Sequence, residues 1–422
     1  VAEARTEKLD PTKLGNLPFI GLEHIEAHTS RLLGQSTAKD VKSSVSSFRR
    51  GDILFGRLRP YLNKVIEAPF DGCASAEVVP FEPQEGIVPT LLKCLMMSAD
   101  FLEYTASLDR GDRPRVKGEE ICRYRIWLPP TAEQRRIVAK VDVLTARITR
   151  ARADLDRVPV LAKWLRESAV ENLLSPSPAP TGWNRHKLGV LIDDGPTNGW
   201  SPKSDPSAQG ALTLKLTATT SGRFRLDEGA VKRIHETPSK NSKFWLRAGD
   251  LLVQRANALE YVGASAIFDG PSHTYIYPDL MMRLRFNNPS LTRLVWYRLN
   301  SPSTRRYFRD KATGTAGNMP KISGSVVREV TIELPQESYW KGLVAKLDAI
   351  FARADRLEAE AGHARRLLDR LESSILAKAF RGELVSQDPK DEPASVLLER
   401  IRLSRSVAPK PNRGRRAIST DA

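Results

Sequence analysis

Cysteine is nearly missing from this 422-residue chain. The three that occur, Cys73, Cys94 and Cys122, have neither disulfide-framework nor metal-pair spacing, so plain thiols in a reducing cytoplasm are expected. Long apolar runs are also missing. No stretch reads as a membrane span and the N-terminus has no signal-peptide pattern, so no membrane role is expected. His24 and His28 bracket Glu26, whereas the zinc-protease helix needs its glutamate directly after the first histidine, so metal chemistry is not expected there. Neither Gly-x-x-x-x-Gly-Lys-[Ser/Thr] nor Gly-x-Gly-x-x-Gly after a strand occurs, which argues against a nucleotide cofactor.

Positive charge is abundant instead. Sixty-six Lys and Arg against 50 Asp and Glu leave a net charge of +16 and a pI near 9.8. An anionic partner is expected, and nucleic acid leads because nothing suggests a membrane. The length suggests two or three domains rather than one core.

The chain is organised around a duplicated stretch. The run from Gly111 to Ser175 aligns without a gap on Gly317 to Arg381, at a constant offset of 206 residues, as between Gly111 and Gly317. Leu128-Pro129 matches Leu334-Pro335, and Val138-Ala139-Lys140 matches Val344-Ala345-Lys346. Each copy then becomes helical. Ile137, Val141, Leu144, Ile148, Ala151, Leu155 and Val158 alternate at four and three residues, as a coiled-coil seam does. The second copy keeps the register through Leu343, Leu347, Ile350, Ala354, Leu357, Ala361, Ala364, Leu368, Leu371 and Ile375. One such seam alone would read as an ordinary core helix, but two in one register favour packing on each other. Pro159 interrupts only the first, and a bend is expected there.

Ahead of each helix stand two basic loops. In the first half, Gly51-Asp52 punctuates and Ile53-Leu54-Phe55 fills a buried strand. Then follows Arg57-Leu58-Arg59-Pro60-Tyr61-Leu62-Asn63-Lys64, in which Arg57, Arg59, Asn63 and Lys64 suit phosphates and base edges, with Tyr61 as one aromatic, in a loop that Pro60 keeps irregular. The second half repeats Gly249-Asp250 and the strand, and continues through Arg255, Asn257 and Tyr261 with different chemistry. A second loop holds Arg113, Pro114, Arg115 and Lys117 in one copy and Asn318, Pro320 and Lys321 in the other. Backbone phosphate fits these loops better than a cofactor does. Asp52 and Asp250 read as turn residues.

The chain divides into a domain over 1–130, a helix over 131–175, a proline-rich linker over 176–182, a domain over 183–335, a helix over 336–381 and a tail over 382–422. Trp183 to Asn198 has no counterpart in the first half, which therefore looks short at its front. Past a short apolar patch at Val396-Leu397-Leu398 and Ile401, Lys410, Arg413, Arg415 and Arg416 suggest a disordered basic end.

Taken together, the Leu128 to Asp142 run, the Gly51 to Leu62 element, Gly21-Leu22-Glu23-His24-Ile25 and Ala379-Phe380-Arg381-Gly382-Glu383-Leu384-Val385 resemble the specificity subunits of type I restriction-modification enzymes. The resemblance covers nearly the whole chain. It implies two tandem target-recognition domains of α/β (α+β) fold, separated by two long antiparallel coiled-coil helices in a pseudo-twofold repeat. It implies double-stranded DNA as ligand, and as partners two modification subunits with S-adenosylmethionine and restriction subunits using ATP and Mg²⁺. No cofactor is expected in this chain, which would reside in the cytoplasm. Where the first helix begins with Ala132-Glu133-Gln134-Arg135-Arg136, the second has Ser338-Tyr339-Trp340-Lys341, which departs from the pattern.

Catalysis here is not expected. The polar-Pro-Pro-aromatic loop of the implied adenine-methylating partner does not occur, and Pro278-Asp279, the one tempting nuclease start, lacks an acidic-x-Lys within about 50 residues. A stand-alone nucleic-acid-binding scaffold is the rival reading. A helix of about 44 residues is roughly 65 Å long, a little under two turns of duplex at about 34 Å each, so the helices are expected to act as a ruler between two half-sites.

Overall fold

The computed structural model describes residues 1–108, 113–204, 207–314 and 319–407, and the basic end from 408 onward lies outside them. It falls into two units, Val1–Leu155 with His363–Ala422, and Asp156–Gly362.

In the first unit, a four-stranded antiparallel sheet runs in the order Ala2–Ala4, Val78–Pro83, Ile53–Gly56, Val65–Glu67. Its Ile53–Gly56 strand is apolar throughout because both faces are covered. Ile53 and Phe55 pack with Phe81, Phe101 and the helices Pro89–Met96 and Ala99–Ser107. Leu54, pointing the other way, joins Ile20, Phe48 and Ala74 of a second sheet. That five-stranded sheet is mixed, with Pro18–Ile20 parallel to Gly72–Ala74.

The second unit repeats the plan. Asp194–Asn198, Met281–Arg285, Leu251–Gln254 and Ser265–Ile267 form a sheet of the same order. Leu251 and Val253 face the helix side, and Leu252 faces a three-stranded sheet in which Leu212–Leu214 runs parallel to Tyr275–Ile276. The Gly-Asp turns are equally matched. Gly51 and Gly249 have φ of +88° and +91°, where a side chain would be strained. The carboxylates behind them are buried: Asp52 accepts from Arg49 N–H and pairs with Arg5 at 2.6 Å, and Asp250 accepts from Arg247 N–H and pairs with Arg285 at 2.6 Å. Their reading as turn residues fits this geometry.

The front of the second unit holds one extra layer, Asn184–Lys187 paired antiparallel with Thr331–Leu334. In the first unit residues 125–128 have no strand partner. There the C-terminal helix Ala394–Val407 sets Leu397 and Ile401 against Ile87, Val1 and Leu128.

The long helices span Thr131–Leu174 and Trp340–Phe380, the second led in by a 3₁₀ turn at Glu337–Tyr339. The first stays helical across Pro159, which is exposed. Within the first unit the helices are antiparallel: Ile137 and Val141 share a core with Ile375 and Ala379, while Arg152 meets Asp369 and Glu372. Within the second, Arg166 meets Asp355 and Glu358 while Val170 and Leu174 share a core with Leu343 and Leu347. Of the expected seam, Ile137, Val141, Ile148, Leu343 and Leu347 are buried, and Leu144, Leu155, Ile350 and Leu368 are half-buried. Leu357 and Leu371 are corrections, being 40% and 50% exposed. Their neighbours Glu358 and Glu372 occupy the seam instead, because Arg166 and Arg152 reach across to them.

The departure at the second helix start also resolves. Gln134 Nε2 donates to Pro129 O at 3.0 Å, and Trp340, its counterpart 206 residues on, donates from Nε1 to Pro335 O at 2.9 Å. A different side chain closes the same hydrogen bond.

Candidate nucleic-acid interface

The two basic loops of each half, far apart in sequence, meet at the end of the doubly buried strand. In the first unit Val116 N–H donates to Arg57 O at 3.2 Å, Arg59 N–H donates to Pro114 O at 2.8 Å, and Leu58 bridges Arg115. In the second unit Ile322 N–H donates to Arg255 O at 2.9 Å, Asn257 N–H donates to Pro320 O at 3.3 Å, and Ala256 bridges Lys321. Buried Val116 and Ile322 anchor the second loop in both cases. The repeated joining makes one composite surface per domain from residues that local sequence patterns do not connect.

In the first domain the loop is turned by two left-handed residues, Arg59 at φ +51° and Asn63 at φ +47°, around a 3₁₀ turn at Pro60–Leu62. Pro60 sets the turn's φ, and Asn63 is a residue type that tolerates the left-handed region. Arg59, Arg113, Arg115 and Lys117 are exposed, and Tyr61 is 54% exposed. Arg57 is half-buried, with its Nε out of solvent and no acceptor among the described residues. Arg115 pairs with Glu77 at 2.6 Å. Asn63 and Lys64 point inward: Asn63 Nδ2 donates to Met97 O at 3.2 Å and Lys64 Nζ to Leu22 O at 2.6 Å. Those two shape the loop rather than present themselves on it.

In the second domain Arg255 is half-buried and reaches Asp279 O at 3.4 Å through Nη1. Asn257 is tied to its own loop, accepting from Ala258 N–H and donating to Gln254 Oε1. Buried Gln254 in turn donates to Leu216 O, Thr219 Oγ1 and Thr220 Oγ1. Tyr261 is 36% exposed and Lys321 is exposed. The backbone around Tyr261 is held by Arg305, which donates to Val262 O at 2.6 Å and Glu260 O at 2.7 Å. Burial, with a smaller push from Arg309, lowers the Arg305 guanidinium to about 10, so it stays a cation at neutral pH. Asn318 lies outside the described residues.

Sequence reading missed a neighbouring cluster. Trp200 and Phe244 stack with centroids 5.6 Å apart and planes at 19°, and Lys243 Nζ sits 5.6 Å from the Phe244 centroid. Beside Trp200, Ser201 Oγ donates to Asp279 Oδ1 and accepts from Asp279 N–H. These side chains come from three separate segments, so only Pro278-Asp279 gave any signal, and it pointed to other chemistry.

Among the described residues, no group of three or more His, Cys, Asp or Glu is placed to hold a metal ion. His24 accepts the Gly21 N–H at 2.9 Å through Nδ1, capping a short turn. No described helix is long and apolar enough to cross a membrane.

No protein-family model matches the chain. Over 360 residues, 81% of this chain and 77% of the relative, it is 26% identical to the type I restriction enzyme EcoKI specificity subunit of Escherichia coli strain K12. It is also 26% identical to the StySPI specificity subunit of Salmonella potsdam, over 81% of this chain and 77% of that relative. Among solved structures, a chain from work on complex assembly and conformational transition of the type I R-M system matches with a TM-score of 0.71 at 23% identity, covering 90% of this chain and 95% of that one. The HsdS subunit from Thermoanaerobacter tengcongensis matches with a TM-score of 0.62 at 23% identity, over 90% and 94%. At that identity the structural likeness speaks for the fold alone, and the fold is the one the sequence led to.

Proposed function

Because this chain is homologous to the specificity subunits of type I restriction enzymes, we propose that it is the DNA-reading subunit of such a complex. Each of its two domains reads one short half-site, and the long helices set the number of unread base pairs between them. The observation that carries this reading is the composite loop surface built twice, at the same strand end, with the same backbone pairing and different side chains. One scaffold with two sets of polar groups is what two different half-sites require.

Within this reading, Arg57, Arg59, Tyr61, Arg113, Arg115 and Lys117 serve one half-site, and Arg255, Tyr261, Asn318 and Lys321 serve the other. Exposed arginines and lysines fix the protein on phosphates, and those nearest the groove read base edges. Asn63, Lys64 and Asn257 hold the loops in shape. The chain performs no chemistry on DNA. Adenine methylation with S-adenosylmethionine belongs to two modification subunits, and cleavage with ATP and Mg²⁺ to restriction subunits, all in the cytoplasm. A stand-alone scaffold would have no reason to share 26% identity with EcoKI and StySPI specificity subunits over four-fifths of its length.

The test is co-expression of the chain with its candidate modification subunit. A stable complex that methylates adenine in a bipartite sequence, when neither protein alone does so, is the expected result. Activity from the chain alone, or no association, would count against the reading.

A further inference from the structure

Asp279 is out of place on the surface just described. The chain carries a net charge of +16, the loops around it are basic, and a carboxylate facing phosphates costs binding energy unless something offsets it. In the first domain the acid beside the loops, Glu77, is neutralised by Arg115 at 2.6 Å. The position paired in the same way in the second domain is Lys321, and it makes no ion pair with Asp279. Among the described residues the Asp279 carboxylate accepts only from Ser201 Oγ. Arg255 approaches the backbone carbonyl of Asp279, not its carboxylate.

Exposed as it is, this carboxylate is also held still. Ser201 Oγ donates to one oxygen while accepting from the Asp279 backbone N–H at 3.0 Å, so side chain and backbone are fixed together. Trp200 N–H donates to Tyr277 O at 2.9 Å, and the Trp200 ring rests on Phe244, which anchors the segment carrying Ser201. The second carboxylate oxygen accepts from no described residue, and the Arg255 guanidinium lies 3.4 Å from the backbone carbonyl of the same residue.

We infer that Asp279 reads a cytosine in the half-site of the second domain, accepting from its exocyclic amino group, with Arg255 facing the guanine of the same pair. This rests on the function proposed above. In the major groove cytosine offers an amino donor, and guanine offers the O6 and N7 acceptors that arginine matches. Adenine fits less well, because its N7 would set a lone pair against the carboxylate. The oriented acid and the adjacent base thus form one complementary pair of groups for one G·C pair.

The experiment is methylation of a random-sequence duplex library by the full-length chain assembled with its modification subunit, for wild type, Asp279→Ala, Asp279→Asn and Ser201→Ala. Wild type should require C·G at one position of one half-site. Asp279→Ala should accept other pairs there, with discrimination falling on the order of tenfold, while every other position and the whole other half-site stay unchanged. Asp279→Asn should move the preference toward adenine. Affinity for non-specific duplex should hold or rise in Asp279→Ala, since a negative charge has left the surface; a fall there would mark Asp279 as scaffold and overturn the assignment. Should Asp279→Ala fail to fold, Ser201→Ala keeps the carboxylate but frees it, and should loosen the same position. A bipartite wild-type motif that none of these variants alters overturns the role of Asp279 alone. A wild-type complex without a bipartite motif overturns the functional reading as well.

Discussion

Arg166 on the first long helix donates to both carboxylate oxygens of Glu358 on the second, at 3.1 and 2.6 Å. Arg152 donates to one carboxylate oxygen of Glu372 at 2.7 Å. Arg152 and Glu358 are equivalent in the 206-residue repeat, and so are Arg166 and Glu372. Each arginine therefore pairs with the counterpart of the other arginine, which is the reciprocal pattern of a twofold antiparallel interface. Duplication has been followed by divergence in charge: the basic member stands on one helix and the acidic member on the other. Two copies of the first helix packed this way would set Arg152 against Arg166.

Reversing one charge should be costly and reversing both should recover much of the loss. Arg166→Glu places three carboxylates together and leaves Asp355 without one of its two arginine partners, so a destabilisation of about 1–3 kcal/mol is expected. Adding Glu358→Arg should restore part of it. Chemical denaturation of both variants and of Glu358→Arg alone closes a double-mutant cycle. A coupling near zero would show that the pair is no more than a surface contact.

The same seam should respond to acid. The hydrogen bond from Arg166 holds the Glu358 carboxyl below the ordinary 4.5, against the opposing effect of burial. A carboxylate lowered on folding binds fewer protons folded than unfolded, so its contribution is complete above about 4.5 and fades as the pH falls through the lowered value. Melting temperature measured from pH 6 to 3 should fall less steeply in Glu358→Gln than in wild type, although the variant starts lower. Parallel curves would exclude Glu358 as a source of the acid sensitivity.

Asp250 should matter to folding more than to recognition. It is buried, accepts from the Arg247 N–H and takes two hydrogen bonds from Arg285. Asp250→Asn leaves Arg285 partly uncompensated, and a loss of about 3 kcal/mol is expected by denaturant titration. A variant as stable as wild type, but defective in DNA binding, would move Asp250 from scaffold to site.

Loop residues of the first domain should separate into two classes. Arg57→Ala should weaken DNA binding by the assembled complex and, where it removes a phosphate contact, reduce the salt slope by about one. Arg255→Ala should do likewise in the second domain. Lys64→Met should instead lower stability, since it removes the donor to Leu22 O, and should leave the salt slope near wild type. Filter binding across a salt series, beside thermal melts, distinguishes the classes. Equal slopes for all three variants would undo the contact assignment.

Much of this architecture was legible because it is periodic or repeated. The 206-residue offset, the four-three helix pattern and the apolar Ile53-Leu54-Phe55 run each encode an element locally, and the structure contains all three. What failed was finer than periodicity. Leu357 and Leu371 have the right chemistry for a seam, yet one step along the helix Glu358 and Glu372 answer arginines on another element, and no apolar pattern reports that. Loop chemistry was legible by residue type but not by direction: Asn63 and Lys64 are polar loop residues like Arg59, and only tertiary acceptors at Met97 O and Leu22 O turn them inward. The Trp200, Ser201, Phe244 and Asp279 cluster, drawn from three segments, left almost no trace in the sequence.

The central claim is that this chain alone chooses a two-part DNA sequence for its partners. Genome-wide mapping of methylated adenines, in cells carrying the partner subunits with and without this chain, tests it most directly. Two short specified blocks, separated by a spacer of fixed length and lost when the chain is removed, are the predicted result. Lengthening one long helix by about four residues, roughly one turn, should then change the spacer and leave both blocks intact. A methylation pattern that is contiguous, or that persists unchanged without the chain, would contradict the account.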